Sequence, residues 1–262
     1  MFRLLAILAA AAPAVLSVLI PGESCGYFGY RLPEPGLLET VVWQSASWGM
    51  TLLPVALALL ALWVPRRFPV LGAFVAIAVF VLTALTIAVP YTSICGQRRG
   101  DGLLSACMAV VVIALLLARR ERPLSVPRVS AAVWTVVLLI VLGRMLIATM
   151  PVSSSDDPFC GAHLRETWAL AQMHLYTGEA VGIWVAVAAI GAVLGGSGAA
   201  LAAGLVLLIP AVFEPVAWFV SSAPHDCSGI LELITWPYLV AAVLGVTAEV
   251  VSRRGESRKS GP

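Results

Sequence analysis

Charged residues are scarce in this chain of 262 residues. Asp, Glu, Lys and Arg together make up 11% of it, whereas soluble domains average about 25%. Hydrophobic residues make up 60%, and the mean hydropathy is +0.98. Because a water-soluble fold needs more polar surface than this, the composition excludes an ordinary soluble domain and predicts an integral membrane protein.

Sequence signatures of common catalytic and cofactor sites are also missing. The chain has no P-loop, no Asp-rich prenyl-diphosphate motif, no His-Glu-x-x-His and no Gly-x-Ser-x-Gly. Only three histidines are present, and the net charge is just +2. We therefore predict no cofactor and no nucleic-acid partner. The expected partners are membrane lipids and a small-molecule or ion ligand.

Long apolar runs dominate what is present. A membrane-spanning helix needs roughly 20 mostly apolar residues, and eight segments approach that length: 3–20, 43–64, 69–90, 103–118, 130–150, 170–194, 199–220 and 231–250. The first, with Arg3 and an Ala-rich run, also fits a signal peptide, but it ends in Ile-Pro before Cys-Gly, so we expect it to be retained. The prediction is an all-α, polytopic integral membrane protein with eight transmembrane helices.

The basic residues predict the orientation in the plasma membrane. Most of them fall on one side if both termini are cytoplasmic, as the positive-inside rule requires. That side carries Arg3, Arg66, Arg67, Arg119, Arg120, Arg122, Arg128, Arg253, Arg254, Arg258 and Lys259. The other side carries only Arg31, Arg98, Arg99 and Arg165, and Arg144 lies within a helix.

The chain resembles a duplicated four-helix unit. Residues 150–194 repeat the order of residues 20–63: a proline, Cys-Gly, Glu-Thr, and a trio spaced i, i+4, i+7 on one helix face. The trios are Gln44, Trp48, Thr51 and Gln172, Tyr176, Glu179. Four helices per copy make this a parallel repeat. The predicted parts are a first half at 1–120, a cytoplasmic linker at 121–129, a second half at 130–254 and a disordered tail at 255–262.

Four of the five cysteines fall in predicted outer loops. They are Cys25, Cys95, Cys160 and Cys227, while Cys107 lies within a helix and is expected to be buried. On an oxidising face the four predict two disulfides, Cys25–Cys95 and Cys160–Cys227, one in each half. Cys160, His163, His225 and Cys227 are also metal-ligand types. Because the first half repeats the cysteines without histidines, we predict disulfides and no metal.

Charge inside the second half marks the candidate binding site. Arg144, Glu179 and Glu214 lie within apolar segments, each about 20 Å from the inner end of its helix. Their predicted equivalents in the first half are uncharged, and charge at membrane depth needs partners or water. We predict Arg144 between the two acids, with Gln172, His174 and Tyr176 on the outer side. Arg144, Glu179 and Glu214 together carry a formal charge of −1, so one of the two acids could titrate or receive a cation.

Three functions remain open at this point. The leading prediction is a transporter-like protein that handles a small molecule or ion through an outward-facing polar pocket in its C-terminal half. The second is a membrane-embedded enzyme acting on a lipid or isoprenoid, with an intramembrane carboxylate as general acid. The third is a non-catalytic assembly or partner protein whose charges are structural. The absence of polar residues in the inner half of segments five to seven counts against transport.

Overall fold

The computed structural model describes the chain in two compact units, residues 1–123 and 124–262. The described residues are 2–19, 36–92, 98–99, 102–121, 126–149, 178–195, 197–211 and 237–251. For 17–19, 91–92, 98–99, 145–149 and 178–182 only the backbone is described. Below, unit 1 denotes the first of the two units and unit 2 the second. The boundary falls within the residues predicted as a linker, 121–129.

Unit 1 contains four helices within the described residues. They are α1 (Phe2–Leu19), α2 (Leu37–Trp63), α3 (Phe68–Ala88) and α4 (Gly102–Ala118). Between α3 and α4, Tyr91–Thr92 and Arg98–Arg99 pair as a two-residue antiparallel ladder, β1 and β2. At the end of α3 the indole Nε1 of Trp43 donates a hydrogen bond of 2.9 Å to the carbonyl of Val89. This bond satisfies one of the carbonyl groups that a helix end leaves without an internal partner.

The second helix begins earlier than the sequence predicted. Its expected start was residue 43, after a long outer loop, but α2 begins at Leu37. Gly36, with extended backbone angles, accepts hydrogen bonds from the backbone N–H and the hydroxyl of Thr40. Glu39 lies in the first turn, where a negative charge suits the helix dipole. These polar residues form the first turns of a helix, although a search for apolar runs assigns them to the loop.

Glu121 and Arg3 join three parts of unit 1 at one end. The Glu121 carboxylate accepts hydrogen bonds from the backbone N–H groups of Phe2 (2.7 Å) and Arg3 (3.2 Å), so it caps α1. The Arg3 guanidinium donates to the carbonyls of Pro65 (3.1 Å) and Glu121 (3.4 Å) and lies over the Phe68 ring. The start of α1, the α2–α3 turn and the end of α4 are therefore held together.

The Glu121 cap predicts a loss of stability in acid. Burial raises the pKa of the Glu121 carboxyl, but hydrogen bonds and charge at the start of α1 outweigh it and leave the pKa below its usual value. A lowered folded-state pKa gives stability that is present above the unfolded-state pKa and lost as the pH falls through the folded-state pKa. Glu121→Gln should cost about 1 kcal/mol at neutral pH.

The measurement is the unfolding midpoint in detergent at neutral and acidic pH. Glu121→Gln should lose less stability on acidification than the unchanged protein does. Glu39→Gln, which removes a carboxylate elsewhere in unit 1, is the control and should lose more stability on acidification than Glu121→Gln does. Equal acid-induced losses in the unchanged protein and in Glu121→Gln would contradict the capping role.

Unit 2 also contains four helices within the described residues. They are α5 (Arg128–Thr149), α6 (Gly178–Val193), α7 (Gly198–Val206) and α8 (Pro237–Val251). The hydroxyl of Ser197 accepts a hydrogen bond from the backbone N–H of Ala200 and caps α7. After a turn at Leu207, helical residues continue to Ala211.

The all-α prediction is confirmed for the described part of the chain, which holds these eight helices and the short β1–β2 pair. Two of the described helices, α2 and α3, are long and apolar enough to cross a membrane. Length and apolar composition alone are weak evidence for a membrane, since the core helix of a soluble protein can share both. The transmembrane assignment of the remaining helices stays a prediction.

Candidate functional site

Arg144 lies on the buried face of α5. Its exposed fraction is 4%, and Trp134, Val137 and Val141, spaced along the same face, are buried as well. This spacing of three to four residues is one inward stripe of a helix. The charge predicted to lie inside the second half is therefore directed into the packed interior of unit 2.

The other predicted site residues are described only in part. Glu179 belongs to the first turn of α6, where the backbone alone is described, and Gln172, His174, Tyr176 and Glu214 lie outside the described residues. The contacts of Arg144 with Glu179 and Glu214 therefore stay predictions. The same holds for the two disulfides, because Cys25, Cys95, Cys160 and Cys227 also lie outside. Cys107, expected to be buried, is half-buried in α4.

Helices α5 and α6 are antiparallel, and glycines fix their register. A Cβ on Gly191 would lie 2.4 Å from Cη2 of Trp134, and a Cβ on Gly195 would lie 3.1 Å from the hydroxyl oxygen of Ser130. Residues 191 and 195 of α6 thus face residues 134 and 130 of α5. Continued to the start of α6, this register places residue 179 level with residue 146, about 3 Å along the axis from Arg144.

A buried carboxylate that the sequence analysis did not single out occupies the opposite end of α5. Glu249 of α8 has an exposed fraction of 0%, and its Oε1 accepts hydrogen bonds from Trp134 Nε1 (3.0 Å) and Ser130 Oγ (3.4 Å). We call these three residues the Glu249 cluster. The available signal was an acid within the apolar eighth segment. Because Glu249 lies only one turn before Arg253, the sequence analysis took it as part of the polar end of the helix and did not select it.

Small residues make room for the Trp134 indole. Gly191 of α6 and Gly245 of α8 both lie against the ring, because a Cβ on Gly245 would be 3.3 Å from the same Cη2 atom. A Cβ on Gly191 would also meet the Cβ of Ala203 at 2.9 Å. The indole of α5 therefore fills a slot between α6 and α8, and its N–H reaches Glu249 there.

A second polar level lies along the same interior. Trp184 of α6 and Tyr238 of α8 are both buried and meet edge to face, with ring centroids 6.4 Å apart at 64°. Trp184 is 5% exposed, and no described residue accepts a hydrogen bond from its Nε1. A buried donor without an acceptor costs about 1–3 kcal/mol, so it is uncommon and points to a site.

The first helices of the two units, α1 and α5, bury different kinds of side chain. The inward residues of α1 beyond Arg3 are apolar: Ala6, Ile7, Ala10 and Ala11. The corresponding stripe of α5 carries Ser130, Trp134 and Arg144. Hydrogen-bonding and charged groups thus recur along the interior of unit 2, the arrangement expected of a site that receives a polar ligand.

Within the described residues no group of three or more His, Cys, Asp or Glu side chains could hold a metal ion. The candidate metal ligands Cys160, His163, His225 and Cys227 lie outside that part of the chain. No protein-family model, curated protein or solved structure matches the chain.

Proposed function

We propose that this is a polytopic protein of the plasma membrane. The supporting observation is the surface of unit 1, where α3 and α4 contain no charged residue. Large apolar side chains on these helices are exposed, among them Phe74, Ile77, Val81 and Ile113. Apolar patches of this extent are rare on soluble monomers and are expected where lipid covers the surface.

The proposed architecture is two parallel four-helix repeats with eight spans and cytoplasmic termini. Each unit contributes four described helices, and an even number per unit brings both copies into the membrane from the same side. Exposed Arg66, Arg67, Arg119 and Arg120 lie at the turns on the proposed cytoplasmic side of unit 1. The Arg3 hydrogen bonds hold these two turns next to each other.

Within this architecture, unit 2 handles a small molecule or ion through an outward-facing polar pocket. The single observation that carries this proposal is the burial of Arg144 and Glu249 among the mostly apolar described residues of unit 2. Ionised groups at such positions are costly unless they are paired or hydrated, and they are commonly functional.

The Glu249 cluster removes an objection to transport. A transporter needs polar groups toward the inner side as well as the outer, and the sequence analysis found none in segments five to seven because it overlooked Ser130 and Trp134 of segment five. Glu249 is contributed by α8, and with Ser130 and Trp134 it lies at the end of the interior where α5 begins. Arg144 lies ten residues further along α5 than Trp134, about 15 Å away. Polar groups therefore occur near the start of α5, in the Glu249 cluster, and near its end, at Arg144.

Water access to the interior of unit 2 tests the proposal. Val141→Cys, on the Arg144 stripe, should react in membranes with a charged thiol reagent. Ala11→Cys, at the predicted repeat position in unit 1, should not react, because its surroundings are apolar. Both native side chains are buried, so packing alone predicts no reaction at either. Mass spectrometry locates the modified cysteine. An unreactive Val141→Cys would favour the alternative in which the charges are only structural.

A further inference from the structure

Four exposed arginines of unit 1 come from two separate turns of the chain. Arg66 and Arg67 lie in the turn between α2 and α3, and Arg119 and Arg120 directly follow the last residue of α4. We call these four residues the basic cluster. The positive-inside rule accounts for arginines on the cytoplasmic side, but it does not require that two turns bring them together.

The buried guanidinium of Arg3 holds the two turns side by side. It donates hydrogen bonds to the carbonyl oxygens of Pro65 and Glu121, at 3.1 and 3.4 Å. Because one planar guanidinium binds both oxygens, they lie no more than about 9 Å apart. Pro65 immediately precedes the first arginine pair, and Glu121 immediately follows the second. The backbone therefore presents both pairs at one place on the surface of unit 1.

The basic cluster has no balancing acid among the described residues of unit 1. The described acids there are Glu39 and Glu121. Glu39 lies in the first turn of α2, at the opposite end of that 27-residue helix. The Glu121 carboxylate is hydrogen-bonded to the start of α1, where it also offsets the charge of Arg3. Four like charges held this close repel one another, so an anion that binds among them is stabilised.

Exposed apolar surface begins directly beside the basic cluster. Helix α3 starts immediately after Arg67, and α4 ends immediately before Arg119. Gly72 of α3 faces Leu115 of α4, so the two helices pack side by side from the arginines onward. The two turns of each helix nearest to the arginines expose large apolar side chains: Val70, Leu71, Phe74, Ile113, Leu116 and Leu117.

We propose that the basic cluster binds the phosphate headgroup of an anionic phospholipid, whose acyl chains lie along the exposed apolar surface of α3 and α4. The planar fork of a guanidinium fits phosphate oxygens, and both turns contribute charge to the same headgroup. A free phosphate would use the arginines and leave the adjoining apolar surface uncovered, whereas a lipid of the cytoplasmic leaflet covers both. This inference rests on the membrane architecture proposed above and not on the polar pocket of unit 2.

Native mass spectrometry of the purified, full-length protein in a neutral detergent counts the bound lipid molecules. Phosphatidylglycerol should be retained. Phosphatidylcholine, which has no net charge, and glycerol phosphate, which has no acyl chains, should be retained far less. Arg66→Gln together with Arg67→Gln should weaken phosphatidylglycerol binding by about 30-fold, since each arginine near an anionic lipid contributes about fivefold in affinity.

The second arginine pair tests whether the two turns share one site. Arg119→Gln together with Arg120→Gln should weaken the binding of the same lipid molecule by a similar factor. The matched control is Arg98→Gln together with Arg99→Gln. It removes the same charge from unit 1, but β2 lies at the other end of α3 and α4, so the affinity should not change.

Three outcomes would overturn the inference. Equal losses in the control and in the two cluster variants would show that net charge alone governs lipid binding. Two bound lipids, one lost with each arginine pair, would show that the turns do not share a headgroup. Glycerol phosphate bound as tightly as phosphatidylglycerol would make this a site for a soluble phosphate. Release of the protein from membranes by alkaline carbonate is a separate result, because it would remove the membrane architecture itself.

Discussion

Replacing Gly191 by alanine should destabilise unit 2 by about 3 kcal/mol, the upper end of the usual cost of overpacking a core. The added Cβ would lie 2.4 Å from Cη2 and 2.6 Å from Cζ3 of Trp134, distances that real Cβ contacts do not show. Ala203 on a third helix blocks retreat, because its Cβ would be 2.9 Å away. Either α6 moves outward or the indole leaves its slot and loses Glu249.

The chain offers both a control and a rescue for this substitution. Gly143 lies within α5, and a Cβ there would meet nothing within 4 Å. Gly143→Ala should therefore be neutral or stabilise by up to about 1 kcal/mol, the helix propensity difference. Trp134→Phe removes the ring atoms that Gly191→Ala would strike. The double variant should be more stable than the sum of the single effects predicts.

The measurement is the free energy of unfolding in detergent micelles, obtained by titration with a denaturing detergent. Strict additivity of Gly191→Ala and Trp134→Phe would show that the two positions do not touch. A Gly143→Ala loss as large as that of Gly191→Ala would show that the loss of glycine, and not the collision with the indole, causes the effect.

The sequence predicts most helices well where apolar runs end abruptly. The expected segments 69–90 and 103–118 differ from α3 and α4 by one or two residues, because Arg and Pro residues bound them. It fails at the start of α2, where Glu39, Thr40 and Gln44 make the first turns polar. Polar residues form the backbone hydrogen bonds of a first helical turn as well as apolar residues do. A search for apolar runs therefore misses the turns that they form.

The sequence predicted only the part of the candidate site that an isolated charge in an apolar segment marks. Arg144 stands out because a lone arginine in an apolar run must be buried or paired, and the structure buries it. The Trp134 slot was not predictable, because Gly191 and Gly245 lie more than fifty residues away and their small size has meaning only against that ring. Glu249 was missed for the same reason: its hydrogen-bond donors are on α5.

The second large effect is expected at Glu249. Glu249→Leu should destabilise the protein by about 2–4 kcal/mol, because the Trp134 N–H and the Ser130 hydroxyl would both remain buried without their acceptor. Removing a desolvated carboxylate offsets part of this cost. Glu249→Gln should cost less, about 1 kcal/mol, since its amide oxygen still accepts from the indole.

The partner substitution shows whether unsatisfied donors cause the loss. Trp134→Phe together with Glu249→Leu removes the indole donor and the acceptor at once, so the second change should cost less in the Trp134→Phe background than alone. Ser130→Ala added to this pair should recover a further part, because the hydroxyl is the remaining donor of the Glu249 cluster. These differences are measured by the same unfolding titration. Were Glu249→Leu to cost as much in the Trp134→Phe background as in the unchanged protein, the carboxylate would stabilise unit 2 through other contacts. The Glu249 cluster would then not be the polar element that faces the inner side of the proposed pathway.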